Sequence, residues 1–231
     1  MFSPIVTPDS HKSNLPVWLA MIGVLLIHAT LVVLRHSDQL IWDEGRYLNG
    51  AIHLLQGFFV DAANPDFVNG PGYPIVLMPF CSGSKGWLVA RLLNAALMAG
   101  TVGFVWLTLR QYAGSVWAAI GALAVGLHPT LVWISFSLMT EPLAMFCLTG
   151  FMWAFCRAVR VGGWRWISAA AFFLVWLTLT RVFFGQVMMA TAAMCLALLL
   201  IREWRQQIKR VLLVLAGAFF SARRISSTPG K

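Results

Sequence analysis

The chain has 231 residues, of which 59% are hydrophobic and only 11% charged, and its mean hydropathy is +0.77. Soluble domains carry about 25% charged residues, so a water-soluble globular protein is excluded and a polytopic membrane protein is indicated. The net charge of +9 does not point to nucleic acid, because the basic residues sit between apolar runs, where they set membrane orientation.

Residues 1–15, with Pro4, Pro8, Asp9, His11 and Lys12, form a short polar leader. The apolar run over 16–34 is too long for a signal-peptide core and has no small-residue cleavage site after it. It reads as an uncleaved first span, with Pro16 tolerated in the first helical turn. Residues 35–86 are polar-leaning and read as the first extracytoplasmic loop. Within it, Asp43 is a good N-cap for a helix from Glu44 to about Gln56, ended by Gly57. Leu48, Ala51, Ile52, Leu55 and then Phe58 or Phe59 recur at helical spacing, which predicts an amphipathic helix lying in the interface plane. The Asn-, Asp-, Pro- and Gly-rich stretch 61–73 reads as loop. Gly70-Pro71-Gly72-Tyr73-Pro74 reads as a tight turn feeding the run 75–80, too short to span and placed as an interfacial or half-inserted piece. A broken span over 73–87 is the alternative.

Further spans are expected at about 87–109, 115–133 (interrupted by His128-Pro129), 142–156 (starting as early as Leu138), 166–180 and 182–201. A last apolar run, 211–220, is too short to cross. The expected fold class is therefore all-α: a polytopic membrane helical bundle of about six full spans plus an incomplete seventh, one transmembrane domain over 1–220. The basic tail 221–231 breaks the apolar pattern abruptly and reads as a truncated or frameshifted end, with a genuine short tail after a re-entrant segment as the alternative.

With the N-terminus inside, the inner loops hold nine basic residues (Lys12, Arg110, Arg157, Arg160, Arg165, Arg202, Arg205, Lys209, Arg210) against five outside (Arg35, Arg46, Lys85, Arg91, Arg181). This is the positive-inside bias. Six of the eight acids, Asp38, Asp43, Glu44, Asp61, Asp66 and Glu141, fall outside. Insertion depends little on acids, so their clustering speaks to function.

Asp43 and Glu44 are the leading candidates for chemistry. A carboxylate at the outer membrane face can act as general base on an acceptor hydroxyl or amine, and a second one can tune it or orient a substrate. Ordinary capping by Asp43 and dipole compensation by Glu44 explain the pair equally well. Arg46, Arg91 and Arg181 are candidate phosphate holders, against surface exposure or snorkelling to headgroups. Tyr47 stands beside Arg46 on the first turns of the same helix. Glu141 is a second active-site carboxylate or an ordinary first-turn acid behind Thr140. His53 and His128 read as helix histidines. Cys81, Cys147, Cys156 and Cys195 read as small hydrophobes, with neither a metal site nor a disulfide framework. The tryptophans fall mostly at span ends, as interface anchors.

A first span, a long outer loop opening with Asp43-Glu44 and Tyr47, an interfacial helix and the Gly70-Pro71-Gly72-Tyr73-Pro74 turn together resemble the GT-C glycosyltransferases, in particular the protein O-mannosyltransferase and aminoarabinose-transferase branch. Arg91-Leu92, His128-Pro129, Thr140-Glu141-Pro142 and Thr180-Arg181 echo the later landmarks, and the likeness covers about residues 15–210. Gly70 and Leu93 stand where the family usually has proline, and family members are longer. The resemblance implies an enzyme of a bacterial inner (plasma) membrane that transfers a sugar from a polyprenyl-phosphate donor to a lipid, glycan or protein acceptor outside the cytoplasm. Asp43 would be the catalytic base beside Glu44. On physical grounds, and not by motif transfer, Arg91 or Arg181 would bind the donor phosphate, with Arg46, Tyr47, Tyr73 and Glu141 as further substrate-binding candidates. No cofactor is implied, a divalent metal is not indicated, and the partners are the lipid donor, the acceptor and membrane lipids rather than nucleic acid.

Overall fold

The computed structural model describes residues 15–59, 69–198, 208–209 and 211–218; the leader, the loop acids Asp61 and Asp66 and the basic tail lie outside these described residues. The described residues fold into helices, with one isolated antiparallel bridge, Asn69 to Arg181, and no strand. In chain order the helices are α1 (Leu15–Arg35), α2 (Glu44–Leu55), α3 (Gly72–Leu77) with a 3-10 turn Met78–Phe80, α4 (Ser84–Leu109), α5 (Ser115–Gly126), α6 (Pro129–Ser135), α7 (Glu141–Arg160), α8 (Trp164–Thr180) and α9 (Phe183–Leu198).

Three of them, in α1, α4 and α7, are long and apolar enough to cross a membrane, and a fourth span results if α5 and α6 count as one bent crossing. α8 and α9 are shorter apolar helices. Such helices are compatible with an integral membrane protein. At ~1.5 Å rise per residue, the 26 residues of α4 exceed the ~30 Å hydrocarbon thickness, so α4 either tilts or extends beyond it.

α4 is the central post. It packs against α1, α5 and α7, and α7 packs in turn on α8. Small residues allow the close approach. Gly100 faces Phe146, Gly103 faces Met21, and Gly150 lies under the Phe173 ring. Gly150, Ala154 and Ala158 recur at one-turn spacing on α7, and Ala154 and Ala158 pack with Ala170 of α8. In hydrocarbon, where apolar surface gives no drive to associate, this small-residue contact supplies the packing.

The break expected at His128-Pro129 is present: α5 and α6 meet at a 55° bend. Pro129 occupies the first turn of α6, where its missing N–H costs nothing. The bend leaves the Gly126 carbonyl available, and the fully buried His28 of α1 donates its Nε2–H to it at 2.9 Å.

Two expectations are corrected. In α2 the acid Glu44 is buried, together with Tyr47 and with Leu48 and Ala51 of the apolar stripe, while Ile52 and Leu55 of that stripe are exposed. The helix packs on α3 and the following 3-10 turn. Glu44 can sit on the buried face because it finds a charged partner there. The Gly70–Pro74 segment is not a tight turn either; Gly72, Tyr73 and Pro74 already form the first turn of α3. Its glycines serve close approach. A Cβ on Gly70 would fall 2.0 Å from the Leu179 carbonyl oxygen, and one on Gly72 would fall 2.8 Å from the Thr180 nitrogen.

Candidate functional site

Asp43, Glu44, Arg91, Glu141 and Arg181 gather where α2 and α3 cover one end of the bundle. They do so in two layers.

The inner layer is built around Glu44, which is fully buried. Its Oε2 accepts the Ile41 N–H at 2.9 Å, closing the start of α2. Its Oε1 accepts the Leu138 N–H at 2.7 Å, from the connection between α6 and α7. Arg91 of α4 reaches both oxygens through Nη2, at 3.1 and 3.0 Å. Arg91 Nη1 donates to the Ser37 carbonyl and to His36 Nδ1, both at 2.9 Å. One ion pair thus fastens the end of α1, the head of α2, the N-terminal part of α4 and the α6–α7 connection. Removing one partner of such a pair leaves an uncompensated buried charge, which costs about 3–5 kcal/mol.

Asn94 follows Arg91 on the same face of α4. Its Nδ2 donates to the Ser137 carbonyl at 2.7 Å and to the Tyr73 hydroxyl at 3.0 Å. Tyr73 meets Tyr47 edge to face, with centroids 5.6 Å apart. Burial pushes the Tyr73 phenol far above its ordinary value, against the pull of the Asn94 hydrogen bond. Tyr73 is thereby a buried packing and hydrogen-bonding residue.

The outer layer contains Asp43, Tyr47, Asn69, Thr140, Glu141 and Arg181. The Tyr47 hydroxyl donates to Asn69 Oδ1 at 3.5 Å, and the Asn69 backbone bridges to Arg181. Burial raises the Tyr47 pKa, while the Thr140 hydrogen bond and the Arg181 charge lower it, and the charges of Glu141 and Asp43 raise it again. The same hydroxyl therefore feels all three outer charges. Arg181 and Glu141 form an ion pair that stays partly exposed, and the Thr140 hydroxyl donates to Glu141 Oε2 at 3.4 Å.

Asp43 stands at the N-cap position of α2, yet its side chain makes no cap hydrogen bond; the reach back to the chain before the helix comes from Glu44 instead. Asp43 is exposed. Before it, Trp42 is held at φ 49°, a left-handed conformation that a bulky residue adopts only at a cost. The Trp42 ring rests on Trp133 of α6, with centroids 4.5 Å apart.

The sequence candidates thus separate. Asp43, Tyr47, Glu141 and Arg181 share the outer layer. Glu44, Arg91 and Tyr73 form the buried frame beneath it. Arg91 is almost fully buried with its Nη atoms engaged, so its geometry suits positioning and not direct phosphate contact. Arg46 lies exposed on α2. Sequence reading missed Asn94, Asn69, His36 and the Trp42–Trp133 contact. Only Asn94 had a local signal, being a carboxamide inside an apolar span and on the face of Arg91. Among the described residues no group of three or more His, Cys, Asp or Glu could hold a metal ion.

Comparison of the chain with models of protein families, with curated proteins and with solved structures gives no match.

Proposed function

We propose that this chain is a membrane glycosyltransferase domain of the GT-C kind, multi-pass in a bacterial plasma membrane, with its N-terminus cytoplasmic and about six spans. The observation that carries the reading is Asp43: an exposed carboxylate that caps nothing, fixed on its inner side by a buried neighbour locked to Arg91. A general base needs that combination of a free lone pair and a rigid mount.

In the proposed reaction Asp43 takes the proton of an acceptor hydroxyl or amine. The acceptor oxygen or nitrogen forms its bond to the anomeric carbon of the sugar. The bond from that carbon to the polyprenyl-phosphate oxygen breaks, and the phosphate leaves with the electron pair. Arg181 is the guanidinium suited to meet that phosphate, since it is partly exposed and held by Glu141, while Arg91 is enclosed. Tyr47 and Tyr73 stay protonated at neutral pH and act as hydrogen-bond donors, not as bases.

The test is reconstitution in liposomes with a panel of polyprenyl-phosphate hexoses and pentoses, following release of polyprenyl phosphate. Donor-dependent release supports the reading; no release with any donor and acceptor class counts against it.

A second reading, a transporter, draws support from the 55° break between α5 and α6 and from the buried His28 against it. Uptake of a labelled solute by the same liposomes without donor turnover would favour it.

A further inference from the structure

The end of the bundle away from Asp43 holds a second cluster that sugar transfer does not use. It is formed by the α4–α5 turn and the α7–α8 turn, and four guanidinium groups there face aromatic rings. Arg110 lies 4.8 Å from the Trp106 centroid, and Arg160 lies 4.9 Å from that of Tyr112. Arg157 and Arg165 lie 5.1 and 5.4 Å from the centroid of one and the same ring, Trp166. Arg160 Nη1 donates to the Gln111 carbonyl at 2.9 Å and ties the two turns together.

Two like charges gathered on one indole repel each other, and cation–π attraction of about 0.5–2 kcal/mol each offsets this only in part. Arg157 Nε is buried and has no hydrogen-bond partner. Ring stacking holds a guanidinium by its face and leaves its N–H edge for an anion.

We propose that these two turns form a binding site for the phosphodiester headgroup of an anionic membrane lipid, with Arg157 and Arg165 as its main donors and Arg160 at its margin. The surroundings favour a lipid over a free anion. Trp164 is 79% exposed and Trp117 70% exposed, next to the exposed Val161 and Val116. A tryptophan belt of this kind seeks the headgroup and acyl boundary. The bound headgroup would bridge α4–α5 to α7–α8 and neutralise the paired cations.

The test is native mass spectrometry of the full chain in detergent, titrated with phosphatidylglycerol or with phosphatidylcholine of the same acyl chains. The unmutated chain is expected to retain phosphatidylglycerol about tenfold more strongly, and Arg157→Gln with Arg165→Gln to lower that retention about tenfold while leaving phosphatidylcholine unchanged. Arg157→Lys with Arg165→Lys is expected to keep part of it. Equal retention of the two lipids by the unmutated chain overturns the proposal without any variant having to fold. Unchanged retention in the double glutamine variant overturns it as well, and so does displacement of the lipid by inorganic phosphate.

Discussion

Glu44 and Arg91 stand 47 residues apart in the chain and form a buried ion pair at 3.0 Å, both side chains almost wholly removed from solvent. The residue before Glu44 points the other way, into the open. Two adjacent carboxylates therefore do unlike jobs, one holding the frame and one left free above it.

The two acids should separate in stability. Glu44→Gln keeps the shape but leaves Arg91 with an uncompensated charge, and a loss of about 3–5 kcal/mol is expected. Asp43→Asn should change stability by less than about 0.5 kcal/mol, as for an exposed side chain without a structural bond. Thermal unfolding of both variants in one detergent measures the difference. Equal midpoints would remove Glu44 from the frame.

Gly70, just before α3, should be intolerant of a side chain where a glycine on α1 is not. Gly70→Ala puts a methyl 2.0 Å from a backbone oxygen, and the resulting displacement of α8 against α3 should cost about 1–3 kcal/mol or more. Gly23→Ala meets nothing within 4 Å and should be neutral or slightly stabilising. The same unfolding assay compares them.

The three tyrosines give a pH signature. Burial raises Tyr47 and Tyr73, and Cys156 beside it is the main cause that raises the more exposed Tyr112. A phenol whose folded pKa is raised keeps its proton longer in the folded chain than in the unfolded one. Its stabilisation is thus complete below the unfolded value of about 10 and declines as pH climbs beyond it. Spectrophotometric titration should show little tyrosinate at that pH in the folded protein and full ionisation after denaturation. Ordinary titration of all three in the folded chain would contradict the buried environment of Tyr47 and Tyr73.

His28→Ala should loosen the join between α1 and the bent α5–α6 pair. It strips the Gly126 carbonyl of its donor, at a cost of about 1–3 kcal/mol. Trypsin sensitivity near the bend, or hydrogen exchange of residues 125–132, reads the effect.

Much of the fold was legible in local pattern. The helix expected at about 87–109 and found at Ser84–Leu109, the interruption at His128-Pro129 and the start of α7 at Glu141 follow from apolar length and from proline chemistry that acts within a few residues. The face of α2 was not legible, because the residue that decides it, Arg91, lies far along the chain, and only that partner makes a buried glutamate acceptable. The Gly70–Pro74 segment misled for a related reason. Glycine signals both turns and close approach, and the Leu179–Thr180 backbone that demands close approach is distant in sequence. In the candidate site, Asp43, Glu44, Glu141 and Arg181, singled out in the sequence as scarce charges, lie near one end of the bundle. Which of them would be exposed, and which locked away, depended on tertiary partners.

The central claim rests on Asp43. The most direct measurement is turnover of a polyprenyl-phosphate sugar by Asp43→Asn set beside the unmutated chain, with unfolding midpoints recorded on the same samples. Turnover is expected to fall about 10²–10⁴-fold, the usual share of a general base, with an unchanged midpoint. Unimpaired turnover in Asp43→Asn at the same midpoint would contradict it.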